Sequence, residues 1–496
     1  MPQVSRHSSG AELKRRATRA LGWSFAGIIG PQMLQFGFSV LLARLLVPAD
    51  FGLIAMLGLF LALAQSMIDS GFGSALIQKQ NATRVDESSV FFLNLGFGII
   101  AYGLLWIGAP AIAAFYREPV LIPLSRLMGV SFIINAFGLV QISLLQKSLN
   151  FKALAKRSLV AALVSGPVGV ILAVKGYGVW SLVAQAIAGN LAQTVLLWFW
   201  SDWRPALRFS RKALAGMFGY GSKLFISGIL NTVFDNLYPM VIGRLFTKTD
   251  LGFYSHALKL QRLPVTTASG VIGQVAFPAF SSIQDDRQRL TSGYRKAIRI
   301  ACYLVFPLML GLIAISKPLF IALFTEKWAE SVPYFRILCL SGMLYPLHSL
   351  NLNALKAVGR SDLFLRLEVL KKGLTIIVVL VTYPYGLTAM VWGQVANSFV
   401  ALFVNTYYTT HFIEYPLREQ ARDILPYLTL SIAMGVVVHG VGLLISGWPV
   451  WQLLVQVPVG FGFYLVTSYL FRVSVLSEMT EHLTEYRASR HEKAGV

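Results

Sequence analysis

Fourteen apolar stretches, most as long as a bilayer-crossing helix, leave this chain few ways to fold. They fall at roughly 20–43, 51–77, 88–115, 122–145, 158–174, 178–200, 220–243, 251–281, 297–316, 331–355, 364–383, 387–410, 424–446 and 450–471. Backbone in hydrocarbon must satisfy its own hydrogen bonds, so segments of this length read as transmembrane helices. The expectation is an all-α polytopic membrane protein with 14 transmembrane helices. Composition agrees: 13% of the 496 residues are charged, and the mean hydropathy is +0.63. Met1–Ala20 is polar and basic, so no cleavable signal peptide is expected. Cys302 and Cys339 both fall within spans and suggest neither a disulfide framework nor a metal site.

A net charge of +21 would suit nucleic acid, but its distribution is that of a topology signal. Of the lysines and arginines outside the span interiors, only Arg44, Arg117, Lys175, Arg244, Lys248, Lys317 and Lys327 fall on one side. The great majority collect in alternate loops on the other side, which the positive-inside rule makes cytoplasmic, with both termini. Some of that charge also suits anionic lipid headgroups. Lys371 and Lys372 lie about two turns into the 364–383 span, which suggests that this helix starts later.

Four cations remain inside spans: Arg126, Lys259, Arg262 and Arg336. The acids placed likewise are Asp69 and Asp235. Lys259 and Arg262 sit in Leu251–Ser281, where Ser255, Lys259, Arg262, Thr266, Ser269 and Gly273 recur at helical spacing. Each cation costs about 2.5–3.5 kcal/mol at the centre of a membrane helix, so such residues face a bundle interior or a wet cavity. Pro264 and Gly270 just below them predict a bend.

The first six spans are echoed by the next six. Ala43–Gly52 (ARLLVPADFG) matches Gly243–Gly252 (GRLFTKTDLG). Arg44, Asp50, Gly52 and Gly73 recur 200 residues later as Arg244, Asp250, Gly252 and Gly273. Pro123 and Arg126 recur as Pro333 and Arg336, and Tyr177–Gly178 as Tyr385–Gly386. Two parallel six-helix lobes follow, in the manner of an alternating-access transporter with its site between the halves. The expected division is a segment 1–19, an N-lobe 20–212, a C-lobe 213–414, two further helices 415–473 and a solvated tail 474–496. The cations of Leu251–Ser281 have no counterparts in the first half, where Leu59 and Ala62 stand, so the central polarity is asymmetric. Asp50 and Asp250 are expected to cap the helices they open.

Asp69–Lys79 (DSGFGSALIQK), Phe277–Asp286 (FPAFSSIQDD), Phe324–Trp328 (FTEKW) and the ARLLVPADFG turn resemble the Wzx-type polysaccharide flippases. The branch is that of the colanic acid exporter and the teichuronic acid transporter, within the multidrug/oligosaccharidyl-lipid/polysaccharide (MOP) exporter superfamily. The resemblance spans about Ala17 to Val473. It implies fourteen helices in two six-helix lobes plus two C-terminal helices. It also implies movement of an undecaprenyl-pyrophosphate-linked oligosaccharide from the cytoplasmic to the outer leaflet of the bacterial inner membrane. Its partners would be membrane lipids, a polysaccharide polymerase and other assembly proteins, with no nucleic acid.

Such a cargo is anionic, and cations in a low-dielectric cavity attract it. Arg forks onto phosphate and Lys acts as a point charge, which puts Lys259 and Arg262 first and Arg126 and Arg336 after them. Sugar hydroxyls need amides and phenols: Asn231 in the seventh span, Gln394 and Asn397 in the twelfth, and Tyr345 in the tenth. Buried amides also glue membrane helices together, and that alternative stays open for each. Coupling to a proton or sodium gradient would fall to Asp69, Asp235 or His348. Either acid would equally serve to balance Lys259 or Arg262. No cofactor or metal is expected. Asp285–Asp286 reads as a cap or ion pair beside Arg287 and Arg289, not as a glycosyltransferase site.

Two other classes fit less well. A multidrug-type cation-coupled exporter would favour acids in its cavity, whereas cations dominate here. A glycan polymerase or ligase needs a sizeable outer loop, and the longest, about Ser316–Ser331, is short and partly apolar.

Overall fold

The computed structural model describes residues 30–69, 71–445, 447–473 and 475–476. The 1–19 segment, the start of the 20–43 span and the tail from Ser477 lie outside the described residues, as does the side chain of Asp69. Within them, helices follow one another with short connections. They are α1 (30–45), α2 (Pro48–Asp69), α3 (Phe72–Gln78), α4 (Arg84–Tyr116), α5 (Leu121–Ala136), α6 (Leu139–Lys147), α7 (Phe151–Val174), α8 (Val179–Trp200) and α9 (Arg211–Asp235). Then come α10 (Leu237–Leu245), α11 (Lys248–Ser282), α12 (Arg287–Ala314), α13 (Ser316–Phe324), α14 (Ser331–Ala357), α15 (Ser361–Thr382), α16 (Leu387–Ile413), α17 (Leu417–Leu444) and α18 (Pro449–Leu470).

Among the described residues, eight helices are long and apolar enough to cross a membrane, and ten if each of two bent pairs is one span. The pairs are α5 with α6, bent by 43°, and α9 with α10, bent by 42°. The other spans expected in the second half are helical and carry more polar residues. The α11 helix carries the cation stripe, α14 carries His348 and two asparagines, and α15 carries Arg366, Glu368, Lys371 and Lys372 in its first half. The lysines of α15 do not mark a later start: the helix begins at Ser361, and Lys371 pairs with Glu368 one turn away.

By backbone contact the chain divides into two compact units, Met1–Gly252 and Phe253–Val496. In the first, α4 packs on α5, α7 on α8, and α2 on both α4 and α9. Loops from one face knit together at its α4 end. Thr83 and Asp86 form a reciprocal capping box, and Lys79 pairs with Asp86 at 2.9 Å. The Lys147 ammonium closes the end of α3 by donating to the Leu76 carbonyl at 3.2 Å and the Lys79 carbonyl at 2.5 Å. The 201–210 linker is held to α4 by Trp203 Nε1 donating to Glu87 at 2.7 Å. The Ser88 and Ser89 hydroxyls accept from the amides of Ala206 and Ser210, each at 2.9 Å. These segments belong to the side that the sequence made basic.

On the other side the two copies of the repeated turn meet. Asp50 accepts from the Val47 amide at 3.2 Å, and Asp250 from the Thr247 amide at 3.1 Å, so each caps its helix as expected. Gly52 and Gly252 lie against each other's turns. A Cβ on Gly52 would stand 1.7 Å from the Lys248 carbonyl oxygen, and one on Gly252 2.0 Å from that of Pro48. The contact is reciprocal between the two turns. The repeat shows again at Gly178 and Gly386, which precede α8 and α16 with φ of 54° and 94°.

In the second unit, α12 packs against α14 and α17, and α17 and α13 pack against α18. Asp286 caps α12 through the Arg289 amide at 3.0 Å and pairs with the Arg289 side chain at 3.1 Å, as its sequence position suggested. Asp423, at the start of α17, is the hub that ties α17 to α12. Its carboxylate accepts from Arg295 Nε and Nη2, from Arg299 Nη2 at 2.9 Å and from the Tyr415 hydroxyl at 2.6 Å. Burial, with that carboxylate alongside, holds the Tyr415 phenol far above its ordinary range. Among the described residues, Asp423→Ala leaves Arg299 without a carboxylate and Arg295 with only Glu419 at 3.8 Å. The expected cost is about 2–3 kcal/mol, below that of a fully buried pair because Arg295 is partly exposed. Thermal unfolding of the purified protein in detergent checks it: an unchanged melting temperature would remove Asp423 from the hub role.

Candidate functional site: the cation stripe of α11

The stripe expected on α11 is present and uncovered. Lys259, Arg262 and Thr266 are exposed, Ser255 is half-buried, and the stripe closes below at buried Ser269. The opposite face explains why the helix sits this way. Tyr254, Ala257, Gln261 and Val265 are buried, and the Tyr254 hydroxyl accepts from Gln394 Nε2 of α16 at 2.6 Å. Two residues after Tyr254, His256 is wedged between Trp328 and Phe324, with ring centroids 4.2 and 4.4 Å off. These anchors fix the rotation of α11, and rotation alone decides that Lys259 and Arg262 point away from the packed core. Thr266 adds little polarity, because its hydroxyl donates back to the Arg262 carbonyl at 2.8 Å. The bend expected at Pro264 and Gly270 does not break the helix: α11 runs unbroken through Pro264 and Pro278. Proline φ is helical, so each proline costs the ladder one bond without ending it.

The other predicted residues separate into groups. Gln394 joins the stripe's anchor through Tyr254. Asn397 donates to Thr375 of α15 at 3.0 Å. His348 is held on both ring nitrogens, by Ser398 and by Asn405, each at 3.1 Å, in a bridge from α14 to α16. The polar face of α16 is thus largely spent on its neighbours. Tyr345 is half-exposed on α14, one turn before His348. Arg336 donates to the Ser316 hydroxyl at 2.6 Å, tying α14 to α13. Its repeat partner Arg126 lies in the first unit, 4.5 Å over the Trp106 ring. Asn231 and Asp235 are exposed on α9, Asp235 at the residue before the bend into α10. Among the described residues no group of three or more His, Cys, Asp or Glu is arranged to hold a metal.

Sequence reasoning missed Tyr254, which looks like one more apolar-face aromatic until its partner 140 positions away is known. It missed the Asp423 hub for the same reason.

Residues 41–333, more than half of the chain, match the model of a family described as polysaccharide biosynthesis protein. The chain belongs to that family. It is 28% identical over 388 residues to the teichuronic acid biosynthesis protein TuaB of Bacillus subtilis (strain 168), covering 77% of this chain and 79% of that one. It is 27% identical over 448 residues to the lipopolysaccharide biosynthesis protein WzxC of Escherichia coli (strain K12), covering 86% and 89%. It is 28% identical over 347 residues to the succinoglycan biosynthesis transport protein ExoT of Rhizobium meliloti (strain 1021), covering 70% of each. The resemblance to Wzx-type flippases carried by DSGFGSALIQK, FPAFSSIQDD and FTEKW is borne out by these relatives. Among solved structures the fold is shared with the lipid II flippase MurJ in an inward closed conformation. That match has a TM-score of 0.74 and 15% identity, and covers 91% of this chain and 99% of that one. It is also shared with an inward-facing multidrug resistance MATE family transporter of the MOP superfamily, with a TM-score of 0.58 and 16% identity, covering 79% and 99%. This polysaccharide biosynthesis family member shares its fold with those two transporters and has, among the described residues, eight to ten segments long and apolar enough to cross a membrane.

Proposed function

We propose that this protein translocates an undecaprenyl-pyrophosphate-linked oligosaccharide from the cytoplasmic to the outer leaflet of the inner membrane, by alternating access, for exopolysaccharide or lipopolysaccharide assembly. The observation that supports this most is the exposure of Lys259 and Arg262 on a helix otherwise anchored in the core. Facing lipid, each would cost about 2.5–3.5 kcal/mol. Facing a wet cavity, they attract a pyrophosphate strongly, Arg262 by forked hydrogen bonds and Lys259 as a point charge. The relatives named for teichuronic acid, lipopolysaccharide and succinoglycan biosynthesis supply the cargo class. A cationic drug would be repelled by the same stripe, which weighs against a multidrug exporter.

In this reading both termini are cytoplasmic, and Asn231, Gln394, Asn397 and Tyr345 are the candidates for sugar contacts. Arg126 and Arg336 are auxiliary cations. Asp69, Asp235 and His348 are candidates for a coupling proton or sodium ion. The partners are the lipid-linked oligosaccharide, membrane lipids and a polysaccharide polymerase. The test is a deletion strain analysed for lipid-linked intermediates. Undecaprenyl-pyrophosphate-linked repeat units should accumulate and remain inaccessible to a membrane-impermeant glycosidase in spheroplasts. Normal polymer with no accumulation would overturn the reading.

A further inference from the structure

A second polar feature lies away from the stripe. Between α12, α17 and the end of α18, an open cleft of about 600 Å³ is walled by Tyr427, Leu430 and Ala433, with Phe471 beside them. Its mouth holds Arg299, Arg422 and Asp423. The charges there do not cancel. Asp423 is already shared by Arg295 and Arg299, and Arg422 is exposed with no ion pair among the described residues. One positive charge is therefore left over at the rim.

The polarity is graded along one face of α17. Arg422, Pro426, Thr429 and Ala433 follow at helical spacing and descend about 16 Å from the basic end toward the membrane interior. Thr429 spends its hydroxyl on the Leu425 and Pro426 carbonyls, so the lower part of the face presents mainly carbon. Pro426 has no N–H to give the Arg422 carbonyl, so that acceptor lacks its normal helical partner at the cleft mouth. Tyr469, Leu470 and Phe471 beside it are highly exposed apolar groups. An anionic phosphate on Arg422, a hydroxylated headgroup near the free carbonyl and an acyl chain below match this order from top to bottom. The basic-loop side is cytoplasmic by the positive-inside rule, and basic pockets between helices at that level suit anionic lipid heads.

We propose that this cleft is a binding site for an anionic glycerophospholipid of the cytoplasmic leaflet. Its phosphodiester sits on Arg422 beside Arg299, and one acyl chain lies along Leu430 and Ala433 under Phe471. The site is separate from the transported cargo and does not depend on how the cargo is assigned.

The experiment is native mass spectrometry of the full purified chain with added phosphatidylglycerol or phosphatidylcholine, on wild type, Arg422→Gln and Ala433→Trp. Arg422 is exposed, so R422Q is expected to keep the lipid-free melting temperature. Wild type should retain phosphatidylglycerol at least fivefold over phosphatidylcholine. R422Q should bring the two lipids to the same level, and A433W, which fills the acyl part of the cleft, should reduce phosphatidylglycerol retention with Arg422 intact. Equal retention of the two lipids by wild type would overturn the proposal, as would undiminished phosphatidylglycerol on R422Q. So would displacement of bound phosphatidylglycerol by equimolar undecaprenyl phosphate, which would assign the cleft to the polyprenyl carrier.

Discussion

Replacing Gly52 or Gly252 with alanine should destabilise the protein by about 3 kcal/mol or more, and export should fail with it. The added Cβ would lie 1.7 Å from the Lys248 oxygen in one case and 2.0 Å from the Pro48 oxygen in the other. Both obstacles are backbone, so no side-chain rotation relieves them. The first turns of α2 and α11 must move apart. The caps at Asp50 and Asp250 are in those same turns, and Lys248 also holds Glu118 at 3.0 Å, so the disturbance spreads to the α4–α5 connection. Gly96→Ala is the control. A Cβ there meets nothing within 4 Å, and α4 should gain about 0.5–1 kcal/mol from the better helix former. Melting temperatures of the three variants should therefore move in opposite directions. Gly52→Ala and Gly252→Ala proteins as stable as Gly96→Ala would show that the repeated turns do not pack as described.

Lys259→Ala and Arg262→Ala should each lower polymer export tenfold or more without loss of abundance or melting temperature. Both side chains are exposed, so truncating either removes little packing. A purely structural role predicts the opposite pattern, lower stability with export falling in proportion. Arg262→Lys separates charge from geometry: it keeps the charge but loses the planar fork, and should recover only part of the activity. The measurement is cell-surface polymer in a deletion strain complemented by each variant, with protein quantified in the membrane fraction. Normal polymer from both alanine variants would withdraw the cation stripe from the transport path.

The helices were legible because each is encoded locally. The apolar runs set their length, Asp50, Asp250 and Asp286 set their starts, and Gly178 and Gly386 turn the chain with positive φ. The amides were legible as residues but not as contacts. Asn397, Gln394, Ser398 and Asn405 have the spacing of a ligand-binding face, and the structure gives them to Thr375, Tyr254 and His348. Hydrogen-bonding capacity is written in a side chain, but the partner that uses it is not. Lys371 misled for a related reason. Its charge argued for an interface, whereas Glu368 one turn earlier lets it stay inside the helix.

Sequence by itself carried the expectation of many membrane crossings, of an internal repeat and of basic loops gathered on one side, and it showed that α11 has cations where Leu59 and Ala62 stand 200 residues earlier. Each follows from periodicity, spacing or charge counted along the chain. Only the tertiary structure decided that the stripe is open, that the repeated glycines touch each other's backbone, and that Asp423 gathers two arginines and a tyrosine beside an open cleft. Those facts depend on how far each helix is rotated about its axis. That rotation is set by contacts such as Tyr254 with Gln394, made between residues far apart in the chain.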